Sequence, residues 1–172
     1  IISTNAGLWG YNIGDTVQFT SLKPYRVIVS GRIKHYISAF GEHVIGKEVE
    51  SALQEAMQHT QVRVNEFTVA PQITPTSGLP YHEWFIEFEK EPENIENFAL
   101  QMDHAMRKQN TYYDDLIVGH VLRSLVITTV HKNGFQEYMK SIGKLGGQNK
   151  IPRLSNDRNI VQALEKGSND TK

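Results

Sequence analysis

The spacing of apolar residues between positions 35 and 131 constrains the fold of this chain more than any other feature. Windows with helical spacing alternate with β-rich windows, and Trp84, Ile86 and Phe88 fall on every second position. The order is strand, helix, strand, strand, helix, strand, in segments 35–40, 47–59, 62–69, 81–90, a helix opening near Asn94, and 125–130. This βαββαβ order predicts an α+β domain of the ferredoxin-like type, with both helices on one face of the sheet.

The segments on either side of this pattern differ from it. β-favouring residues between Val17 and Val29 surround a turn that contains Pro24, which predicts a hairpin. Gly31 then marks a boundary, so we expect residues 1–31 to form one unit and residues 32–172 to form another. After position 131 we predict a short helix at 134–142, a glycine-rich basic loop at 143–153, and a last helix capped by Asn156.

The composition excludes several classes of function. The formal net charge is −1 and the pI is about 6.7, so nothing points to a nucleic-acid or membrane partner. The most apolar stretch, 116–130, is interrupted by polar residues and falls short of the roughly 18 apolar residues of a membrane-spanning helix. The chain has no cysteine, which excludes disulfides, thiolate catalysis and zinc–thiolate sites, and we expect a cytoplasmic protein.

Charge is segregated along the chain although the total is close to zero. Residues 83–103 hold seven acidic residues against one lysine, whereas residues 132–172 hold eight basic residues against four acidic ones. Two readings stay open: a solvated acidic edge with a basic tail, or a basic loop that contacts a phosphate or a carboxylate. A nucleic-acid-binding sheet is disfavoured, because Glu83, Glu87 and Glu89 are interleaved with the aromatic residues of segment 81–90.

The sequence contains an incomplete nucleotide-binding motif and no metal-binding pattern. Residues 41–47 match the spacing of a phosphate loop, but Glu48 stands where a magnesium-binding hydroxyl is needed. A turn that leads into the first helix is the better interpretation. The seven histidines form no paired ligand motif, and Asp114 and Asp115 fit a cap or turn better than a metal pair.

Three short features remain as candidates for chemistry. Gly14 and Asp15 form either an ordinary turn or one whose carboxylate accepts two hydrogen bonds from a ribose diol. Arg32 at the boundary is either a surface residue or a contact for an anion. Lys150 lies between a glycine-rich stretch and Pro152, where a lysine can reach a phosphate or a carboxylate as a point charge.

The order and spacing of these motifs resemble the end of an adenylate-forming enzyme. That superfamily contains the acyl-CoA synthetases, the peptide-synthetase adenylation domains and the luciferases. Within it, the chain is similar to the bacterial branch of the Gretchen Hagen type auxin-responsive acyl-acid amido synthetases. The resemblance extends from Gly7 to about Leu164. It is carried by Gly7-Leu8-Trp9-Gly10-Tyr11-Asn12-Ile13-Gly14-Asp15, by Ser30-Gly31-Arg32, and by Gly147-Gln148-Asn149-Lys150-Ile151-Pro152-Arg153.

The resemblance implies a role for each candidate residue. Asp15 would hold the ribose hydroxyls of ATP or AMP, with Tyr11 near the adenine, and Arg32 would reach the ribose or the phosphates. Lys34, which stands where many members carry Asp, would be the hinge about which the C-terminal domain rotates between adenylation and acyl transfer. Lys150 would be the catalytic residue that stabilises charge as pyrophosphate leaves, with Mg²⁺ sharing the charge of the triphosphate.

The resemblance also implies what this chain works with. A carboxylic acid would be adenylated, and the amine of an amino acid would then attack the acyl-adenylate and release AMP. The phosphate-gripping loop and the acyl pocket of such enzymes lie in a large N-terminal domain, of which residues 1–31 would be the end.

Since those parts are missing and the sequence begins without Met, we expect a C-terminal fragment that is inactive alone. Its partner would be its own N-terminal domain, or else a second copy of the fragment in a homodimer. The competing interpretation is a free-standing ferredoxin-like module that binds or senses a ligand without catalysis.

Overall fold

The computed structural model describes residues 1–32, 36–58, 60–146 and 149–169. No helix in this part of the chain combines the length and the apolar character needed to cross a bilayer. The elements are, in order, β1 (Asp15–Leu22), β2 (Tyr25–Arg32), β3 (Tyr36–Ile37), β4 (Val44–Ile45), α1 (Gly46–Gln58), β5 (Arg63–Gln72), β6 (Tyr81–Lys90), α2 (Ile95–Gln109), α3 (Thr111–Val118), β7 (Val126–Val130), α4 (Gly134–Ser141) and α5 (Asn159–Asn169).

A sheet with the strand order β5-β6-β7 lies between two helical layers. β5 and β6 are antiparallel, whereas β6 and β7 are parallel and are connected through α2 and α3. The predicted alternation in β6 places Trp84, Ile86 and Phe88 in one apolar cluster with α1 and α2. Phe85 points the other way, into a second cluster with α4 and α5. The prediction of helices on one face therefore holds for α1 and α2, while α4 and α5 cover the opposite face.

The predicted α+β class and the order of the main elements are confirmed, but the sheet differs from the four-stranded ferredoxin-like one. Within the described ranges, the predicted strand at 35–40 is reduced to β3, which pairs with β4 in a separate two-stranded sheet. Gly41 has a φ of +92° and His43 a φ of +45°, so the chain turns soon after β3. Because β3 stays outside the main sheet, β7 pairs directly with β6.

Side-chain caps determine where several helices begin. The side chain of Asn94 accepts a hydrogen bond from the backbone amide three residues later, so α2 begins where the sequence predicts. Asn110 caps α3 in the same way. The cap or turn predicted at Asp114 and Asp115 is wrong, because both residues lie within α3. The predicted cap Asn156 is wrong: α5 begins at Asn159, and the side chain of Asn156 bonds to the backbone around β3 instead.

The N-terminal part of the chain, residues 1–32, is called here the hairpin segment. Its strands β1 and β2 pair antiparallel with each other. No residue between positions 1 and 29 is buried, and Trp9 and Tyr25 are 85% and 78% exposed. The hairpin segment is therefore held mainly by backbone pairing, with little apolar burial of its own.

Candidate functional site

The predicted ribose-binding turn lies immediately before β1. The Asn12 side chain accepts a hydrogen bond from the Gly14 amide at 2.9 Å. Gly14 has a φ of +73°, a conformation that favours glycine. The strand then begins at Asp15, which lies directly opposite Arg32 in the register of β1 and β2. Two predicted nucleotide-binding positions that are 17 residues apart in the sequence are thus neighbours in the hairpin.

The other predicted residue of this group is Tyr11, four positions before Asp15. It exchanges two backbone hydrogen bonds with Ile2, at 2.8 and 2.9 Å, and its side chain is half-exposed. Tyr11, Asp15 and Arg32 therefore all belong to the hairpin segment. The predicted hinge residue Lys34 lies outside the described residues.

The predicted catalytic residue Lys150 is exposed and directly precedes a segment fixed along the outer edge of β5. We call this segment, residues 151–156, the strap. The Val69 amide donates to the carbonyl of Arg153 at 2.9 Å, and the Val69 carbonyl accepts from the amide of Ser155 at 3.0 Å. The resulting parallel bridge joins Val69 to Leu154. β5 thus pairs with β6 along one edge and holds the strap, through this bridge, along the other edge.

Side chains of the strap enter both apolar clusters. Ile151 is buried in the cluster beside α4 and α5, and Leu154 is buried in the cluster beside α1 and α2. Between them, the carbonyl of Pro152 accepts a hydrogen bond from the hydroxyl of Thr68 at 2.7 Å. The stretch after Lys150 is therefore anchored by packing as well as by hydrogen bonds.

Arg153 holds the middle of the strap against β5 and α1. Its guanidinium forms ion pairs with Glu66 and with Glu50, the latter at 3.4 Å. It also donates to the Phe67 carbonyl at 3.2 Å and lies over the Phe67 ring, 4.5 Å from the centroid. Arg153 therefore has a structural role: its side chain attaches the strap to β5 and α1.

The end of the strap is bonded to the chain just after the predicted hinge. The Asn156 side chain accepts a hydrogen bond from the Ser38 amide at 3.1 Å and donates to the Tyr36 carbonyl at 2.7 Å. This pair of bonds resembles the exchange between two strands, although one side is a side-chain amide. The segment carrying Lys150 and the segment just after Lys34 are thereby connected in the structure.

A buried hydrogen-bond network lies in the turn after β3, and no sequence pattern predicts it. Glu42 and His82 are 0% and 1% exposed, and Glu42 Oε1 lies 2.9 Å from His82 Nε2. Glu42 also accepts from the Phe40 amide at 2.8 Å, and its carbonyl accepts from the Asn110 side chain at 3.1 Å. Burial raises the pKa of Glu42, but the hydrogen bonds from His82 and the backbone outweigh it, so the pKa lies below its usual value.

A second buried contact adjoins this network. The hydroxyl of Tyr113 donates to Asp103 at 2.7 Å, and the ring of Tyr113 lies 5.2 Å from that of His82. Burial, together with the Asp103 carboxylate, raises the pKa of Tyr113 well above its usual value. The polar side chains between β6, α2 and α3 thus form a connected group inside the domain.

The segment with phosphate-loop spacing turns at Gly41, forms β4 and leads into α1, as the sequence predicts. Glu48, the residue that breaks the motif, accepts hydrogen bonds from the Ile45 amide at 2.9 Å and from the Asn110 side chain at 3.1 Å. A carboxylate in the first turn of a helix interacts favourably with the helix dipole. These contacts give Glu48 a structural role at the start of α1 that requires no bound nucleotide.

The interpretation of the acidic region as a solvated edge is wrong for Glu83 and Glu87, which are buried. Glu83 accepts hydrogen bonds from Thr128 at 2.6 Å and from Arg158 at 2.8 Å. Glu87 accepts from the Asn133 amide at 3.1 Å, at the N-terminus of α4. The alternation in the sequence places both on the face opposite Trp84 but does not indicate that α4 and α5 cover that face.

The described residues offer no cluster of metal ligands. Among them, no group of three or more His, Asp or Glu residues is arranged so that it could hold a metal ion. The predicted involvement of Mg²⁺ therefore stays a prediction about the complex with ATP.

A protein-family model matches most of this chain. The model described as the GH3 family C-terminal domain matches residues 47–159, which is more than half of the chain. The matched residues run from α1 through the sheet and the strap to the first residue of α5. No curated protein matches the sequence significantly.

Solved structures match nearly the whole chain. A GH3.15 acyl acid amido synthetase matches with a TM-score of 0.74 and 19% identity, over 95% of this chain and 32% of that chain. AtGH3.15 acyl acid amido synthetase in complex with 2,4-DB matches with a TM-score of 0.72 and 18% identity, over 95% and 31%. At these identities the likeness shows a shared fold, and the chain spans about a third of the length of these structures.

Proposed function

We propose a function from the premise that this chain belongs to the GH3 C-terminal domain family. The protein is part of an ATP-dependent acyl acid amido synthetase, which adenylates a carboxylic acid and transfers the acyl group to an amine, such as that of an amino acid. The observation that carries this proposal is the match of the family model to residues 47–159. The likeness in fold to two structures named GH3.15 acyl acid amido synthetase, which includes the hairpin segment, supports it.

In this proposal the residues act in two groups. Asp15 would accept hydrogen bonds from the ribose of ATP or AMP, with Tyr11 near the adenine and Arg32 towards the ribose or the phosphates. Lys150, exposed directly before the strap, would stabilise the charge that develops between the carboxylate and the α-phosphate. Lys34 would be the hinge that lets one domain present different surfaces in the two half-reactions.

The chain would work with a larger N-terminal part and would be inactive alone. The exposed apolar residues of the hairpin segment support this, because such residues usually mark a surface that contacts another protein part. ATP and the carboxylic acid would bind mainly to that N-terminal part, together with Mg²⁺. Incubation of this chain alone with ATP and a panel of carboxylic acids should release no pyrophosphate above background, and sustained turnover would contradict the proposal.

The role of Lys150 is tested in the enzyme that combines this chain with its N-terminal part. Lys150→Ala should slow pyrophosphate release about 100-fold or more, because a positioned charge on the reacting group is lost. Transfer of the acyl group from a preformed acyl-adenylate to an amine should change much less. Lys144→Ala, which removes another exposed lysine of the same loop, is the matched control and should leave both rates nearly unchanged. Equal losses in the two half-reactions would remove Lys150 from this role.

A further inference from the structure

The two sides of Lys150 differ in how they are held. On the N-terminal side, Gly143 and Gly146 have φ values of +68° and +87°, and Leu145 is exposed. On the C-terminal side, Ile151 is buried and the strap is bonded to β5. The Asn149 side chain donates to the Gly146 carbonyl at 3.4 Å, a bond within the loop itself. The strap is thus what ties the chain beside Lys150 to the sheet, and its anchor nearest to Lys150 is the one expected to affect the placement of the lysine.

Thr68 supplies that nearest hydrogen-bonded anchor. Its side chain is 0% exposed, and its hydroxyl donates to the carbonyl of Pro152, two residues after Lys150, at 2.7 Å. Pro152 has no amide hydrogen, so its carbonyl is the one backbone group through which it can be held by a hydrogen bond. A proline also restricts the residue before it to extended conformations, which stiffens Ile151.

Thr68 is placed to do this by the sheet. It lies next to Val69, whose backbone forms hydrogen bonds with Arg153 and Ser155. Two consecutive residues of β5 therefore form hydrogen bonds with the strap. A valine at position 68 would fill nearly the same space and suits a strand, so the packing does not call for the hydroxyl. The bond to Pro152 accounts for a hydroxyl at this buried position.

We propose that Thr68 is a positioning residue for Lys150: its buried hydroxyl fixes the Pro152 carbonyl and thereby places the lysine for adenylation. This inference rests on the proposed function, because it needs Lys150 to act in that half-reaction. Small displacements of a reacting group have large effects on rate, so a bond two residues away is expected to matter.

The test measures both half-reactions in the full enzyme with three variants at two positions. Thr68→Val removes the hydroxyl at almost constant volume and should slow adenylation about tenfold, while transfer from a preformed acyl-adenylate stays within about twofold. Thr68→Ser keeps the hydroxyl and should retain most of the adenylation rate. Thr129→Val, at an exposed position of β7, which is separated from β5 by β6, is the control and should change neither rate.

A double variant separates a failure of this inference from a failure of the proposed function. If Thr68 acts through Lys150, Thr68→Val should cause no further loss of adenylation in a Lys150→Ala background. Losses that multiply in the double variant, equal losses in both half-reactions, or no loss in Thr68→Val would overturn the role of Thr68 alone. If Lys150→Ala leaves adenylation intact, the proposed role of Lys150 fails and the positioning role fails with it.

Discussion

The hairpin segment and the β5-β6-β7 sheet use similar β-favouring residues and reach opposite outcomes. Val17, Phe19 and Val29 in the hairpin segment are all more than half exposed. Trp84, Phe85 and Ile86 in β6 are no more than 1% exposed, because helices cover both faces of that sheet. Strand formation therefore does not guarantee burial. β-favouring residues and a turn are enough to form a hairpin, but a hydrophobic core requires helices or another sheet packed against the strands.

The two tryptophans of the chain allow the most direct test of this difference. Trp84→Ala should lower the free energy of unfolding by about 3–5 kcal/mol, because it removes a buried ring stacked on Phe67 at 5.6 Å. Trp9→Ala, which removes an 85% exposed ring, should stay within about 0.5 kcal/mol in the same chain. Urea denaturation followed by circular dichroism measures both. Comparable losses would mean that the hairpin segment is packed after all.

A smaller effect is expected at Glu42, one of the buried carboxylates of the domain. Glu42→Gln keeps the shape and should cost about 1–3 kcal/mol at pH 7, because the hydrogen bonds to the charged group are weakened. The pKa of Glu42 is lowered in the folded state, so its stabilisation is complete well above the unfolded pKa. It is lost as the pH falls through the folded pKa, which, despite burial, the hydrogen bonds from His82 and the backbone hold below the usual value of a glutamate.

The free energies of unfolding of the wild type and of Glu42→Gln, measured as a function of pH, test whether this stabilisation is lost at low pH. The difference between the wild type and Glu42→Gln should shrink as the pH falls from 7 towards 3. Glu93→Gln, at an exposed position after β6, is the control and should show no such convergence. A difference that stays constant with pH would show that the charge of Glu42 is not what stabilises the turn.

The smallest expected effect compares two asparagine caps. Asn94→Ala should cost the domain about 1 kcal/mol, because the first turn of α2 loses its side-chain acceptor. Asn12→Ala removes a similar bond to the Gly14 amide, but the turn lies in the exposed hairpin segment and the domain should unfold as before. Hydrogen exchange at the two turns distinguishes local opening from global unfolding. A global loss for Asn12→Ala would contradict the separation of the two regions.

Much of the fold could be predicted because its signals are local. The alternation in β6, the helical spacing in α1 and the Asn94 cap each depend on residues within a few positions of one another. The two-stranded pairing that places Asp15 opposite Arg32 follows from a hairpin with a turn at Pro24. The sequence did not predict α3, because Asn110 is both the C-cap of α2 and the N-cap of α3 and no loop separates the two helices.

The strap could not be predicted, for a different reason. Val69 and Leu154 are 85 residues apart, and nothing near either residue indicates that they pair in parallel. Glu83 and Glu87 look like surface residues in the sequence, because an acidic residue is buried only when a partner such as Arg158 or a helix N-terminus comes to it.

The sequence alone determined the class of the domain and the positions of its principal helices and strands. Those depend on the spacing of side chains along the backbone and on short turns, which neighbouring residues decide. The tertiary structure decided which segments share a surface: that β3 leaves the main sheet, that helices cover both faces of β6, and that β5 holds the strap after Lys150. Such contacts join distant residues, so they depend on the complementarity of whole surfaces, which no local pattern records.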